Sequence, residues 1–67
     1  MTDSEERLHN WVVYYRMYLD LFGINKLKEH YIQLKLVEDE WRRRNYYVSY
    51  SMSIMGIEIV LRQYQQL

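Results

Sequence analysis

Apolar positions recur at helical spacing along almost the whole chain. At the start, Asp3 with Glu6, or Thr2 with Glu5, fits a capping box, and the acidic first turn complements the helix dipole. Leu8, Trp11, Val12, Tyr15, Tyr18, Leu19 and Phe22 then fill one helical face of about 120°. A second set, Tyr14, Met17 and Leu21, lies beside the first and leaves His9, Arg16 and Asp20 a narrow polar remainder. Gly23 suits the left-handed position after a helix, from which Ile24 can pack back on Leu19. This predicts a first helix over residues 4–22.

A second helix is expected over residues 26–44, with Asn25 as its N-cap. Its core face reads Leu27, Tyr31, Leu34, Val37 and Trp41, while Ile32 and Leu36 point almost the opposite way. Asn45 tolerates a left-handed turn and is the expected stop. No stronger breaker follows, so a helix running on through Asn45 is the alternative.

Residues 46–66 carry two periods at once. As a helix they give a 3-4 stripe of Tyr47, Tyr50, Ile54, Ile57, Leu61 and Tyr64, and a second of Val48, Met52, Met55 and Ile59. Ser49, Ser53 and Gly56 then form a small-residue groove that another helix can approach closely. As strands, Val48, Tyr50, Met52 and Ile54 alternate with serines, and Ile57, Ile59 and Leu61 continue the alternation. The turn argues against a hairpin, because Met55-Gly56 is not a favoured two-residue turn and a lone hairpin leaves two bare edges. The expected fold is therefore all-α: a two- or three-helix bundle in one domain over residues 1–67, with two helices plus a C-terminal β-hairpin as the alternative.

Composition adds a constraint on assembly. The chain has 67 residues, 49% of them hydrophobic, and no proline or cysteine. For so short a chain, apolar burial barely offsets the entropy of ordering, and small folds usually add a staple. No disulfide or cysteine-based metal site is available. Oligomerisation is the remaining device, and a homodimer is expected.

Net charge is zero, so nothing steers the chain toward nucleic acid or anionic lipid over long range. The acidic, polar N-terminus does not read as a secretory signal. The longest uncharged stretch, Asn45 to Ile57, is too short to span a bilayer. No membrane association is expected, and a cytoplasmic location is the simplest expectation.

Candidate chemistry is sparse. Arg42, Arg43 and Arg44 follow Glu38, Asp39, Glu40 and Trp41. Arginines beside a tryptophan suit phosphate contact and base stacking. However, each acid also stands four residues before a base, the favourable order for pairing along a helix. Glu38 and Glu58 lie near apolar faces, with Arg42 and Arg62 as their expected partners. His9 and His30 fit no metal spacing and read as surface or boundary residues. There is no phosphate loop, nucleophile motif or carboxylate pair, so no enzyme activity, cofactor or metal is expected.

Eight tyrosines and two tryptophans remain, residue types enriched at protein interfaces. Tyr14, Met17, Leu21, Tyr47, Tyr50, Met52, Met55 and Gly56 are the candidate partner or self-association residues. A small, cysteine-free chain of two or three helices resembles many short bacterial or phage-encoded regulators, which bind, block or bridge a larger protein. The leading expectation is a protein-binding regulator or inhibitor. The alternatives are a nucleic-acid-binding regulator using Arg42, Arg43 and Arg44, and a structural subunit of a larger assembly.

Overall fold

The computed structural model describes residues 3–45 and 47–65. Among the described residues, four helices follow in order: α1 (Asp3–Phe22), α2 (Ile24–Leu36), α3 (Glu38–Arg43) and α4 (Tyr47–Gln65). The fold is all-α, and residues 47–65 are helical rather than a hairpin.

Asp3, Glu5 and Glu6 put negative charge in the first turn of α1, where the dipole favours it. Asp3 is already helical and so does not act as the cap; the expected Thr2 cap lies outside the described residues. Gly23 takes φ 88°, and its N–H closes on the Leu19 carbonyl at 2.9 Å. That one residue makes the whole corner. α2 starts at once with Ile24, so Gly23 occupies the cap position expected of Asn25. His30 lies against Tyr15 and Tyr18, so α2 runs back along α1.

The single helix expected over residues 26–44 is broken in two at Val37. Neither glycine nor proline causes the break. Its stabilisation is tertiary: the Trp41 indole N–H donates to the Leu34 carbonyl at 3.1 Å. An uninterrupted helix would have used that carbonyl for the Glu38 N–H. The break turns Val37 outward, at 42% exposure, and buries Trp41 at 5%. Val37 is therefore not the core residue its spacing predicts. Asn45 adopts φ 62°, the left-handed turn expected of it.

α1 and α4 form the principal packing pair. They run in the same sense, with Trp11 and Tyr15 beside Gly56 and Arg16 reaching Gln63. The core consists of Tyr15, Leu27, Leu34, Trp41, Ile54, Ile57 and Val60, with Trp11, Val12, Leu19 and Tyr31 packed around it. On α4 the buried face also takes in Ser53 and Gly56. Ile54 and Ile57 of the predicted 3-4 stripe are in the core and Leu61 packs against it, but the face is rotated toward the small residues, so the stripe's Tyr47, Tyr50 and Tyr64 are exposed. Phe22, at the end of α1, is also exposed rather than in the core.

A Cβ at Gly56 would lie 2.9 Å from Trp11 Cβ and 3.3 Å from the Trp11 carbonyl carbon. Neither atom can swing away as a side-chain tip would. Gly56→Ala is therefore expected to destabilise the chain by roughly 1–2 kcal/mol, although alanine favours an isolated helix by about 1 kcal/mol. Gly56→Leu should cost more. Urea denaturation monitored by circular dichroism checks both; a Gly56→Ala protein of equal or greater stability would show that the helices can separate freely.

Candidate functional site

Two kinds of surface collect the candidate residues. The first is the outer side of α1. At 100° per residue, Tyr14, Met17 and Leu21 point roughly 100–160° away from buried Tyr15. They are 49%, 59% and 73% exposed. With Tyr18 and Phe22 they line a shallow hollow of about 160 Å³. The Tyr18 and Phe22 rings pack at 4.8 Å, which fixes one wall.

The α4 candidates divide. Val48 and Met55 are exposed on the back of α4, with Met52 between them and Ile59 one turn beyond Met55 both half-buried. Tyr47 and Tyr50 belong instead to a cluster around Trp41. Gly56 faces inward. The close approach predicted for its groove is made by the chain's own α1, so Gly56 is part of the core and not an outer contact.

The arginines are largely engaged at home. Arg42 pairs with Glu38 at 2.6 Å, and its guanidinium lies over the Tyr47 ring at 5.2 Å. Glu38 also pairs with Lys35 at 2.9 Å. The hydrogen bond from Lys35, more than the nearby charges, holds the Glu38 carboxyl below its ordinary range. Arg43 does not pair with the Asp39 carboxylate; its Nε donates to the Asp39 carbonyl at 3.2 Å. Asp39 and Glu40 sit in the same short helix as Arg42 and Arg43 and keep that surface mixed in charge. Glu58 accepts a hydrogen bond from the Tyr31 hydroxyl at 2.9 Å, in place of the expected tie to Arg62. That bond is the main reason the Tyr31 hydroxyl is raised above its usual pKa.

The second surface is a cleft of about 390 Å³ between α1, α2 and α4. Rings of Trp11, Tyr14 and Tyr50 form its walls, and Ser49 lies at its edge. At its floor the Tyr15 hydroxyl bonds Ser53 Oγ at 2.5 Å and His30 Nε2 at 3.3 Å. Burial, partly offset by the Ser53 hydrogen bond, pushes the Tyr15 hydroxyl above its usual pKa. His30 is half-buried, the boundary position expected of it, but it is also bonded to Tyr15, a role not visible in its spacing. The available signal was Tyr15 itself: a tyrosine at the centre of a core face needs a partner for its hydroxyl.

Among the described residues, no three histidine, aspartate or glutamate side chains gather in a way that could hold a metal ion. No described helix is long and apolar enough to cross a membrane. No protein family matches this chain, and neither a curated protein nor a solved structure matches it.

Tyr15→Phe keeps the ring but strands Ser53 and His30, and is expected to cost about 1–3 kcal/mol. The pH dependence follows from the direction of the shift. With its folded pKa above the reference value of 10.0, Tyr15 contributes full stability below that value. The contribution is lost as pH rises through the folded pKa. Chemical denaturation across the alkaline range should therefore show a decline that is shallower in Tyr15→Phe. An identical decline in both proteins would assign the effect to other groups, Tyr31 first.

Proposed function

We propose that this chain is a non-enzymatic regulator or inhibitor that binds another protein and itself forms a homodimer. The observation that carries the reading is the exposed row of Tyr14, Met17 and Leu21 on α1. Met17 and Leu21 have no place on the face that α1 turns to α2 and α4, and Tyr14 stands at the border between that face and the outer one. A row of large apolar side chains with a tyrosine at its edge suits a helix-to-helix or helix-to-groove contact. The back of α4, with Val48 and Met55, offers a second such face. Methionine in both rows adds packing that adapts to different partners. The reading includes a cytoplasmic location and no nucleic-acid partner. The ion pairs and ring contacts that occupy Arg42 support the latter.

Sedimentation equilibrium at micromolar concentration should give a dimer. Met17→Glu combined with Leu21→Glu should leave the fold stable to within about 0.5 kcal/mol, because both positions are exposed. The same pair should weaken self-association at least about tenfold. A monomer at all concentrations, or a dimer indifferent to the double substitution, would remove α1 as the association face.

Replacing Arg42, Arg43 and Arg44 together with glutamine should lower the melting temperature only slightly and leave association intact. The unsubstituted protein should show no binding to DNA or RNA at physiological salt. Tight binding that falls steeply with salt and vanishes in the triple variant would favour the nucleic-acid reading instead.

A further inference from the structure

The cleft between α1, α2 and α4 is built differently from the outer rows. It is concave, and its volume of about 390 Å³ falls within the range typical of small-molecule sites. It stays open because Ser49 and Ser53, one helical turn apart on α4, present hydroxymethyl groups where larger side chains would fill the space. Its walls are held in place from behind. Trp11 is stacked on Tyr15 at 5.6 Å, and Tyr50 is stacked on Trp41, also at 5.6 Å. Little ordering of these rings is then needed on binding, which favours affinity.

We propose that this cleft binds a small, neutral, planar aromatic molecule carrying a hydroxyl group, of which a phenol is the simplest type. The ring walls specify a flat apolar body. Among the described residues, no carboxylate, lysine or arginine lines the cleft, and the His30 imidazole there is engaged by the Tyr15 hydroxyl, so an ionised ligand would lose its hydration without a dedicated counter-charge. The floor specifies the hydroxyl. Tyr15 sits between Ser53 and His30 in a chain of three hydrogen-bonding groups that can be polarised in either direction. If His30 donates to Tyr15, then Tyr15 donates to Ser53, and the serine hydrogen is left over at the cleft end. If Ser53 donates to Tyr15, and Tyr15 to His30, the serine oxygen keeps free acceptor capacity. A hydroxyl can accept from the first arrangement or donate to the second. A carbonyl, which only accepts, or an ammonium group, which only donates, can satisfy only one of them. This site does not depend on the protein-binding reading and stands or falls separately from it.

The test is a titration of the full isotope-labelled chain with 2-naphthol at neutral pH, followed by amide and indole resonances. We expect saturable shifts at Ser49, Tyr50, Ser53, His30 and the Trp11 indole, with a dissociation constant between about 10 μM and 1 mM. The same rings bearing a carboxylate, 2-naphthoate, should bind at least about tenfold more weakly. Ser49→Leu, at an exposed position, places a branched side chain in the opening and should also weaken 2-naphthol at least about tenfold. The mapping on the unsubstituted chain decides the matter if that variant folds poorly. The proposal is overturned by an absence of saturable shifts up to about 2 mM, a range that covers weak binding. It is equally overturned by shifts centred on Met17 and Leu21, by undiminished binding to a folded Ser49→Leu protein, or by equal affinity for 2-naphthoate.

Discussion

The contact of Gly56 with Trp11 sets the arrangement of everything else. Two helices whose axes approach this closely need a residue with no side chain at the crossing, and α4 supplies it in mid-helix. An interior glycine costs about 1 kcal/mol of helix propensity, which the surrounding burial of Ile57 and Val60 must offset. Once α1 and α4 are pinned there, Tyr15 is driven into the centre at 2% exposure. Its hydroxyl then needs polar partners inside the core. Ser53, a turn before Gly56 on α4, provides one, and His30 on α2 provides the other. The small-residue face of α4 therefore does two jobs: Gly56 admits α1, and Ser53 satisfies the tyrosine that arrives with it.

The second constraint is the tight corner at Gly23. A single glycine at positive φ joins α1 to α2, so neither helix can slide much along the other without breaking the Gly23–Leu19 bond. That register brings His30 level with Tyr15 and Tyr18. The far end of the molecule is closed by Trp41, which caps the interrupted α2 through Leu34, stacks on Tyr50 and fills the space beneath α4. At the other end of α4, Arg16 ties α1 to Gln63 through two hydrogen bonds, of 2.6 and 3.0 Å. These bonds are exposed, so they fix orientation more than they contribute stability.

Helix content was legible because its signals are local. The 3.6-residue period, Gly23 and Asn45 each act within a few neighbours, and both positive-φ positions fall where those residues stand, although Gly23 has ψ 167° and not the left-handed helical value expected of it. The hairpin alternative is not realised, since residues 47–65 form one helix. The break at Val37 was not legible, because no residue there is a poor enough helix former to force it. It depends on an indole reaching back seven positions and on what α4 lays over that indole. The small-residue groove was legible as a groove, but nothing local says which helix will fill it. The sequence pattern suggested a partner; the fold supplied α1. Of the candidate contact residues, Tyr14, Met17 and Leu21 do gather on one exposed face, since a single helix fixes their relation. Tyr47 and Tyr50 were separated from the α4 methionines by contacts with Trp41, which lies on a different helix. The hydrogen-bonded set of Tyr15, His30 and Ser53 spans three helices, and no spacing rule within one chain segment can announce it.

Tyr14 connects the two surfaces on which function is proposed. Its ring is a wall of the cleft and also a wall of the hollow on α1. It packs edge-on against both Trp11 and Tyr15, at 5.8 and 4.9 Å. A molecule held in the cleft would restrict this ring, and a partner helix laid on Met17 and Leu21 would restrict it from the other side. Two ligands that order the same side chain share its entropic cost, because the second to bind finds it already paid. Linkage then requires the effect to be reciprocal: whatever one ligand adds to the affinity of the other, the other returns. If the cleft ligand instead holds Tyr14 in a rotamer that blocks the hollow, the same reciprocity carries the opposite sign. In either case such coupling would pass through one exposed ring and would need no rearrangement of the packed helices.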